Sequence, residues 1–199
     1  AMTTWVPAVT DGGFLQVYPG NLALPFMQVQ IDAMSSATPL GLMKFEQEVT
    51  PLTNLMFGKT TGSLGETSGL LLLLGGVFLW LRRDLDWRIP ISILLTVMVF
   101  SAILGLFDAD RFPSPLFSVF SGGLLLGAIY MATDPVTSPV TPKGAWIFGI
   151  GTGVLVMLIR VFGGLPEGVM YAILLMNAAT PLIDRYTQPR VFGRGGDSE

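Results

Sequence analysis

The chain has 199 residues, of which 51% are hydrophobic and only 13% charged, and its formal net charge is −3. A soluble domain carries roughly 25% charged residues, so this chain is too poor in charge to cover itself with a solvated surface, and its mean hydropathy of +0.62 agrees. It holds no cysteine and no histidine, which excludes disulfides, iron–sulfur and zinc–thiolate centres, histidine-ligated haem and a Ser-His-Asp triad; its negative charge gives no support for nucleic-acid binding.

Residues 1–62 form a segment rich in Thr, Ser, Pro and Gly, without a long apolar run. Within it, 32–40 is hydroxyl-rich, with Ser35, Ser36 and Thr38 as candidate nucleophiles and Pro39 biasing Thr38 to an extended backbone. By composition alone, this stretch is a polar loop. The next polar stretch, 62–68, contains Gly62, Ser63, Gly65, Glu66, Thr67 and Ser68 just before the first apolar run. Ser63 followed by Glu66 three residues later reads as a capping box, and the same helix end could also face a polar ligand. A carboxylate at a hydrophobic boundary makes Glu66 a candidate for function.

From residue 70 onward the texture changes to apolar runs: 70–81, 89–107, 115–132, 145–159 and 168–183. About 20 helical residues cross a hydrocarbon core, so these runs predict an all-α membrane protein with five transmembrane helices over about 66–82, 89–107, 115–133, 145–162 and 167–184. A cytoplasmic tail over 185–199 follows. The 134–144 connection has three prolines and three hydroxyls. It is either an ordinary loop or an irregular polar stretch lining a site through Asp134 and Thr137. Gly123/Gly127 and Gly149/Gly153 predict close helix packing.

Arginines cluster in 82–88 and again after the fifth run, at Arg185, Arg190 and Arg194. That bias puts both segments in the cytoplasm and 1–62 outside it. Arg160, at an outer span end, runs against the bias. Export of 1–62 requires a preceding span or signal, and the chain starts Ala1-Met2, so the sequence reads as a fragment lacking an upstream membrane half.

The run Asp-Ala-Met-Ser-Ser-Ala-Thr-Pro-Leu at 32–40 resembles the flavinylation motif of the RnfD/NqrB family, membrane subunits of ion-pumping electron-transfer complexes. Gly-Ser-Leu-Gly-Glu-Thr-Ser at 62–68, Thr-Asp-Pro-Val-Thr-Ser-Pro at 133–139 and the closing stretches 158–168 and 181–191 resemble RnfD in the same order. The resemblance implies half of a ten-helix inverted-repeat bundle, preceded by an extracytoplasmic flavin-bearing loop. It implies FMN esterified through its phosphate to Thr38, with Ser35 and Ala37 in the motif. By analogy with NqrB, it also implies a second, non-covalent flavin (riboflavin) near 62–68 and 134–139. The implied setting is the bacterial inner membrane and a complex with iron–sulfur and flavin subunits of the A, B, C, E and G types. That complex couples electron transfer involving NADH or ferredoxin to Na⁺ or H⁺ translocation, and the isolated chain would be inactive. The alternative from a different class is half of a non-redox transporter or channel, built on broken helices.

Overall fold

The computed structural model describes residues 3–4, 34–35, 38–47, 50–58, 60, 68–107 and 114–188, with 3–4 and 34–35 described as backbone only. Apart from a two-residue antiparallel pairing of β1 (Thr3–Thr4) with β2 (Met34–Ser35), every described element is helical.

Two short helices come first. The helix α1 (Pro39–Gly41) runs into a π-turn over Leu42–Glu46, and α2 (Leu52–Phe57) follows. Leu40, Leu55 and Phe117 form a small buried cluster that fastens these turns to the body of the molecule.

The first apolar run becomes α3 (Gly69–Leu81). Its N-cap is Ser68, whose hydroxyl donates to the Met56 carbonyl at 3.2 Å rather than capping the helix. The described helix thus starts at Gly69, not 66, while Ser63 and Glu66 of the expected capping box lie outside the described residues. The second run is α4 (Arg88–Phe107) and the fourth is α7 (Pro142–Phe162), which Thr141 caps by accepting from Gly144 N at 3.0 Å. Pro142 sits where a missing N–H costs nothing. Among the described helices, α4 and α7 are long and apolar enough to cross a membrane. The last helix, α8 (Val169–Thr187), outruns the expected end at 184 by three residues.

The third run departs most from expectation. In place of one span over 115–133 there is α5 (Pro115–Phe120), a break at 121–123, α6 (Leu124–Leu126) and a π-turn over Gly127–Met131. Gly122 has φ +69°, in the left-handed region that favours glycine, and it turns the chain at the break. Glycine pairs inside an apolar run read alike whether they pack or bend a helix, which is why the sequence did not separate the two.

Helices in lipid gain little from burying apolar surface against one another and associate through close backbone approach. The α4–α7 contact is of this kind. A Cβ on Gly149 would collide with Ser92 Oγ and lie 3.0 Å from the Ile89 carbonyl, and one on Gly153 would lie 3.1 Å from the Ile93 carbonyl. The same pairs show that α4 and α7 run in the same direction. Gly127 packs on Val169 and Ile173 of α8, and Gly123 is the N-cap of α6 at the break. Phe148, Val97, Val156, Leu124, Ala145 and Ala172 fill the centre. Outward faces are apolar as well: Leu71, Leu74 and Phe78 on α3, Leu95 and Ile103 on α4, and Leu174 on α8 are exposed, which suits a lipid surround.

Candidate functional site

Thr38 is not on a loose loop. It is half-buried, with an extended backbone (φ −71°, ψ 157°) as Pro39 dictates, and its Oγ1 accepts from Gly41 N at 3.2 Å as the N-cap of α1. The next three residues, Pro39, Leu40 and Gly41, are buried. The cap uses only an acceptor lone pair and does not engage the hydroxyl proton.

One turn further on, Lys44 reaches across the chain to α7. Its Nζ donates to the carbonyls of Arg160 (2.8 Å), Gly163 (2.5 Å) and Leu165 (2.9 Å). The Arg160 carbonyl belongs to the last turn of α7, where carbonyls lack intrahelical donors and a cation is the favoured partner, and the other two lie at and just beyond its C-cap. Burial lowers the Lys44 pKa from its ordinary value, while three acceptors favour the ammonium form.

Leu40 meets the break in the third run. A Cβ on Gly122 would lie 2.5 Å from Leu40 Cδ1 and 2.7 Å from Glu167 Oε1. The same Glu167 oxygen accepts from Gly123 N. Beneath it, Arg160 is buried: Nη1 donates to the Ser118 carbonyl at 2.6 Å and Nη2 to the Ser121 carbonyl at 3.1 Å. Ser118 and Ser101 share a hydrogen bond between hydroxyls at 2.9 Å. Arg160 Nε and Ser121 Oγ, both buried, lack a partner among the described residues. Arg160, Glu167 and Lys44 were not singled out as site residues by sequence reasoning. The available signal was Arg160 closing an apolar run against the charge bias, which its burial on backbone carbonyls explains.

The other expected site residues lie elsewhere. The Asp134 carboxylate is used locally, accepting from Thr137 Oγ1 at 3.2 Å, and Ser138 N bonds the Asp134 carbonyl at 3.0 Å. The loop is tied to α8: Val140 N donates to Asp184 Oδ1 at 3.2 Å, and Thr141 and Thr187 hydroxyls meet at 2.6 Å. Val136 and Val140 are exposed in this hydrogen-bonded stretch. A Cβ on Gly69 would touch Phe120 and Leu125, and one on Gly76 would touch Ile129. Ser68 and Asp134 therefore fall toward opposite ends of α3, and the structure does not bring Ser68 together with Asp134 and Thr137. Ser35 lies in β2, with its side chain outside the described residues; Ala37, Gly62, Ser63, Gly65, Glu66 and Thr67 also lie outside them.

Comparison with known proteins accounts for nearly the whole chain. The model of the NQR2, RnfD, RnfE family matches residues 1–193. The chain is 41% identical over 207 aligned positions to the D subunit of the proton-translocating ferredoxin:NAD(+) oxidoreductase complex of Clostridium ljungdahlii, covering 97% of this chain and 56% of that protein. It is 43% identical over 210 positions to the D subunit of the ion-translocating oxidoreductase complex of Stutzerimonas stutzeri, covering 97% and 58%. To the D subunit of the Na(+)-translocating ferredoxin:NAD(+) oxidoreductase complex of Acetobacterium woodii it is 42% identical over 192 positions, covering 94% and 58%. The chain spans a little over half the length of these curated relatives. With the apolar helices α4 and α7 and a family match from end to end, the chain belongs to the membrane-associated NQR2, RnfD, RnfE family.

Proposed function

We propose that this chain serves as an RnfD-type component of an ion-translocating ferredoxin:NAD⁺ oxidoreductase complex in the bacterial inner membrane, with FMN held by a phosphate ester on Thr38. The observation that carries this reading is the state of Thr38: a half-buried hydroxyl on extended backbone, at the head of a turn docked against α7. The residues present fit the group. Esterification would replace the hydroxyl proton, which the cap does not use, and leave an oxygen that still accepts from Gly41 N. The bound isoalloxazine would supply the redox chemistry, accepting and releasing electrons. The chain's own residues cap, dock and orient, because without cysteine or histidine it offers no iron–sulfur ligands of these types, and such centres belong to partner subunits. A second flavin shared by 62–68 and 134–139 does not enter this reading, since Ser68 and Asp134 lie apart.

The test is peptide mass spectrometry of the 32–44 region from membranes that contain the flavin transferase. An FMN adduct on Thr38 is the expected result. An adduct on Ser35 or Ser36, or an unmodified peptide in the active complex, would overturn the assignment.

A second reading, half of a non-redox transporter, draws on the broken third run with buried Arg160 at its break, since interrupted helices are how such proteins build substrate sites. A colourless chain with no fluorescent band on a denaturing gel, after expression with the transferase, would favour it.

A further inference from the structure

We propose that Lys44 is the positioning residue of the Thr38 segment: its ammonium fixes where a flavin on Thr38 sits relative to the membrane helices. The inference rests on the Thr38 reading above and adds what holds that site in place. Lys44 lies six residues after Thr38, and the intervening chain is a continuous pair of turns, α1 and the π-turn, so the position of one sets the position of the other. The three carbonyls that receive the ammonium converge from residues 116–121 positions away in sequence. An ammonium has three protons, and all three are matched here, at 2.5–2.9 Å.

Ordinary helix capping by lysine comes from the helix's own last turn. Here the cap comes from a segment otherwise held to the body through the small cluster of Leu40, Leu55 and Phe117. That apolar contact is non-directional, so it resists lifting of the segment better than sliding or turning. Three charge-assisted hydrogen bonds to backbone that cannot rotate away supply the missing directionality. Arg160, whose carbonyl is one of the three acceptors, clamps the Ser118 and Ser121 carbonyls with its side chain. Through α7, then, the Thr38 segment is fixed to the broken third run rather than to a freely moving loop.

The experiment reads the rotational freedom of the covalent flavin itself, in the full chain in membranes with its transferase. Fluorescence anisotropy is compared for the unaltered chain, Lys44→Met and Lys44→Arg, each normalised to protein and to covalent flavin. In Lys44→Met the covalent flavin should lose most of its anisotropy, while Lys44→Arg, which keeps a cation and several donors, should retain it. Because the chain has no cysteine, a restored link is available without background. Lys44→Cys alone should be mobile, and relinking it with 2-bromoethylamine, which rebuilds an ammonium of lysine length as a thioether, should make it rigid again, even if Lys44→Met fails to accumulate. Unchanged anisotropy in Lys44→Met or in the unlinked Lys44→Cys would overturn the role of Lys44 and leave the Thr38 reading standing. No covalent flavin in the unaltered chain would overturn the Thr38 reading, and this proposal with it.

Discussion

Arg160 Nη1 donates to the Ser118 carbonyl at 2.6 Å, so a charge on α7 completes the backbone of α5 where that helix stops. The last carbonyls of a helix lack intrahelical donors, and within a bilayer water is not there to replace them. Arg160→Met should therefore strand the carbonyls of Ser118 and Ser121. The expected cost is about 1–3 kcal/mol for each, read as a lower midpoint of detergent unfolding. Arg160→Lys should recover only part of it, because one ammonium cannot reproduce a two-pronged fork. An unchanged midpoint in Arg160→Met would show that the break is satisfied by other means.

Gly122→Ala tests the break from the other side. The added methyl meets both positive φ and the crowding of Leu40 and Glu167. A side chain in the left-handed region costs about 1–2 kcal/mol, and Leu40 must move in addition. Proteolysis of 38–47 should quicken in membranes while α4 and α7 stay protected. Equal cleavage rates in the two forms would refute the contact.

The α4–α7 contact makes a paired prediction. Gly153→Ala places a methyl 3.1 Å from the Ile93 carbonyl and closer still to Thr96, and should cost about 1–3 kcal/mol by overpacking. Gly105→Ala, in the same α4 but with nothing within 4 Å of the new atom, should be neutral or gain up to about 1 kcal/mol from helix propensity. Comparing the two unfolding midpoints separates packing from propensity; a stabilised Gly153→Ala would show that the helices are not in close contact.

At Thr38 three variants divide capping from chemistry. Thr38→Ala should lose all covalent flavin and about 1 kcal/mol of local stability from the missing cap. Thr38→Ser should keep the cap, and Ser35→Ala should keep flavin attached. In-gel fluorescence beside an immunoblot gives flavin per chain, and persistent fluorescence in Thr38→Ala would place the ester elsewhere.

Sidedness is testable in intact cells. Arg82, Arg83 and Arg88 gather at the α3–α4 connection, while Lys44 and Arg160 are both engaged by backbone carbonyls at the other end of α7. A tag near Thr38 should be cut by external protease, and one at Arg190 should be protected. The reverse pattern would invert the topology.

The helices α4, α7 and α8 were legible because an uncharged run of the right length leaves few other folds, although α7 begins at Pro142, three residues before the expected 145, because Thr141 caps it. The Thr38 segment was legible as a motif but not as a docked turn. Its anchors are a lysine and a leucine whose partners lie more than 80 residues away in sequence, at Leu165 and Gly122, and no local pattern announces such contacts. The break at 121–123 was hidden for a related reason. Ser-Gly-Gly in an apolar run serves equally for tight packing, and what decides is Arg160, some 40 positions downstream. For Asp134 the local pattern hid a different fact: its own turn uses the carboxylate, which accepts from Thr137 Oγ1.

The shared direction of α4 and α7 has a consequence for the interrupted segment between them. Two neighbouring helices that both start at the same level oblige the connecting chain to travel back the whole way before the second can begin. Residues 115–131 supply about 25 Å at helical rise, against about 30 Å for α4, and the connecting residues provide the remainder. The return leg is therefore fixed by parity and not by its own hydropathy. It tolerates a kink whose carbonyls are met by a buried cation from α7, because its two ends are held by the helices that flank it.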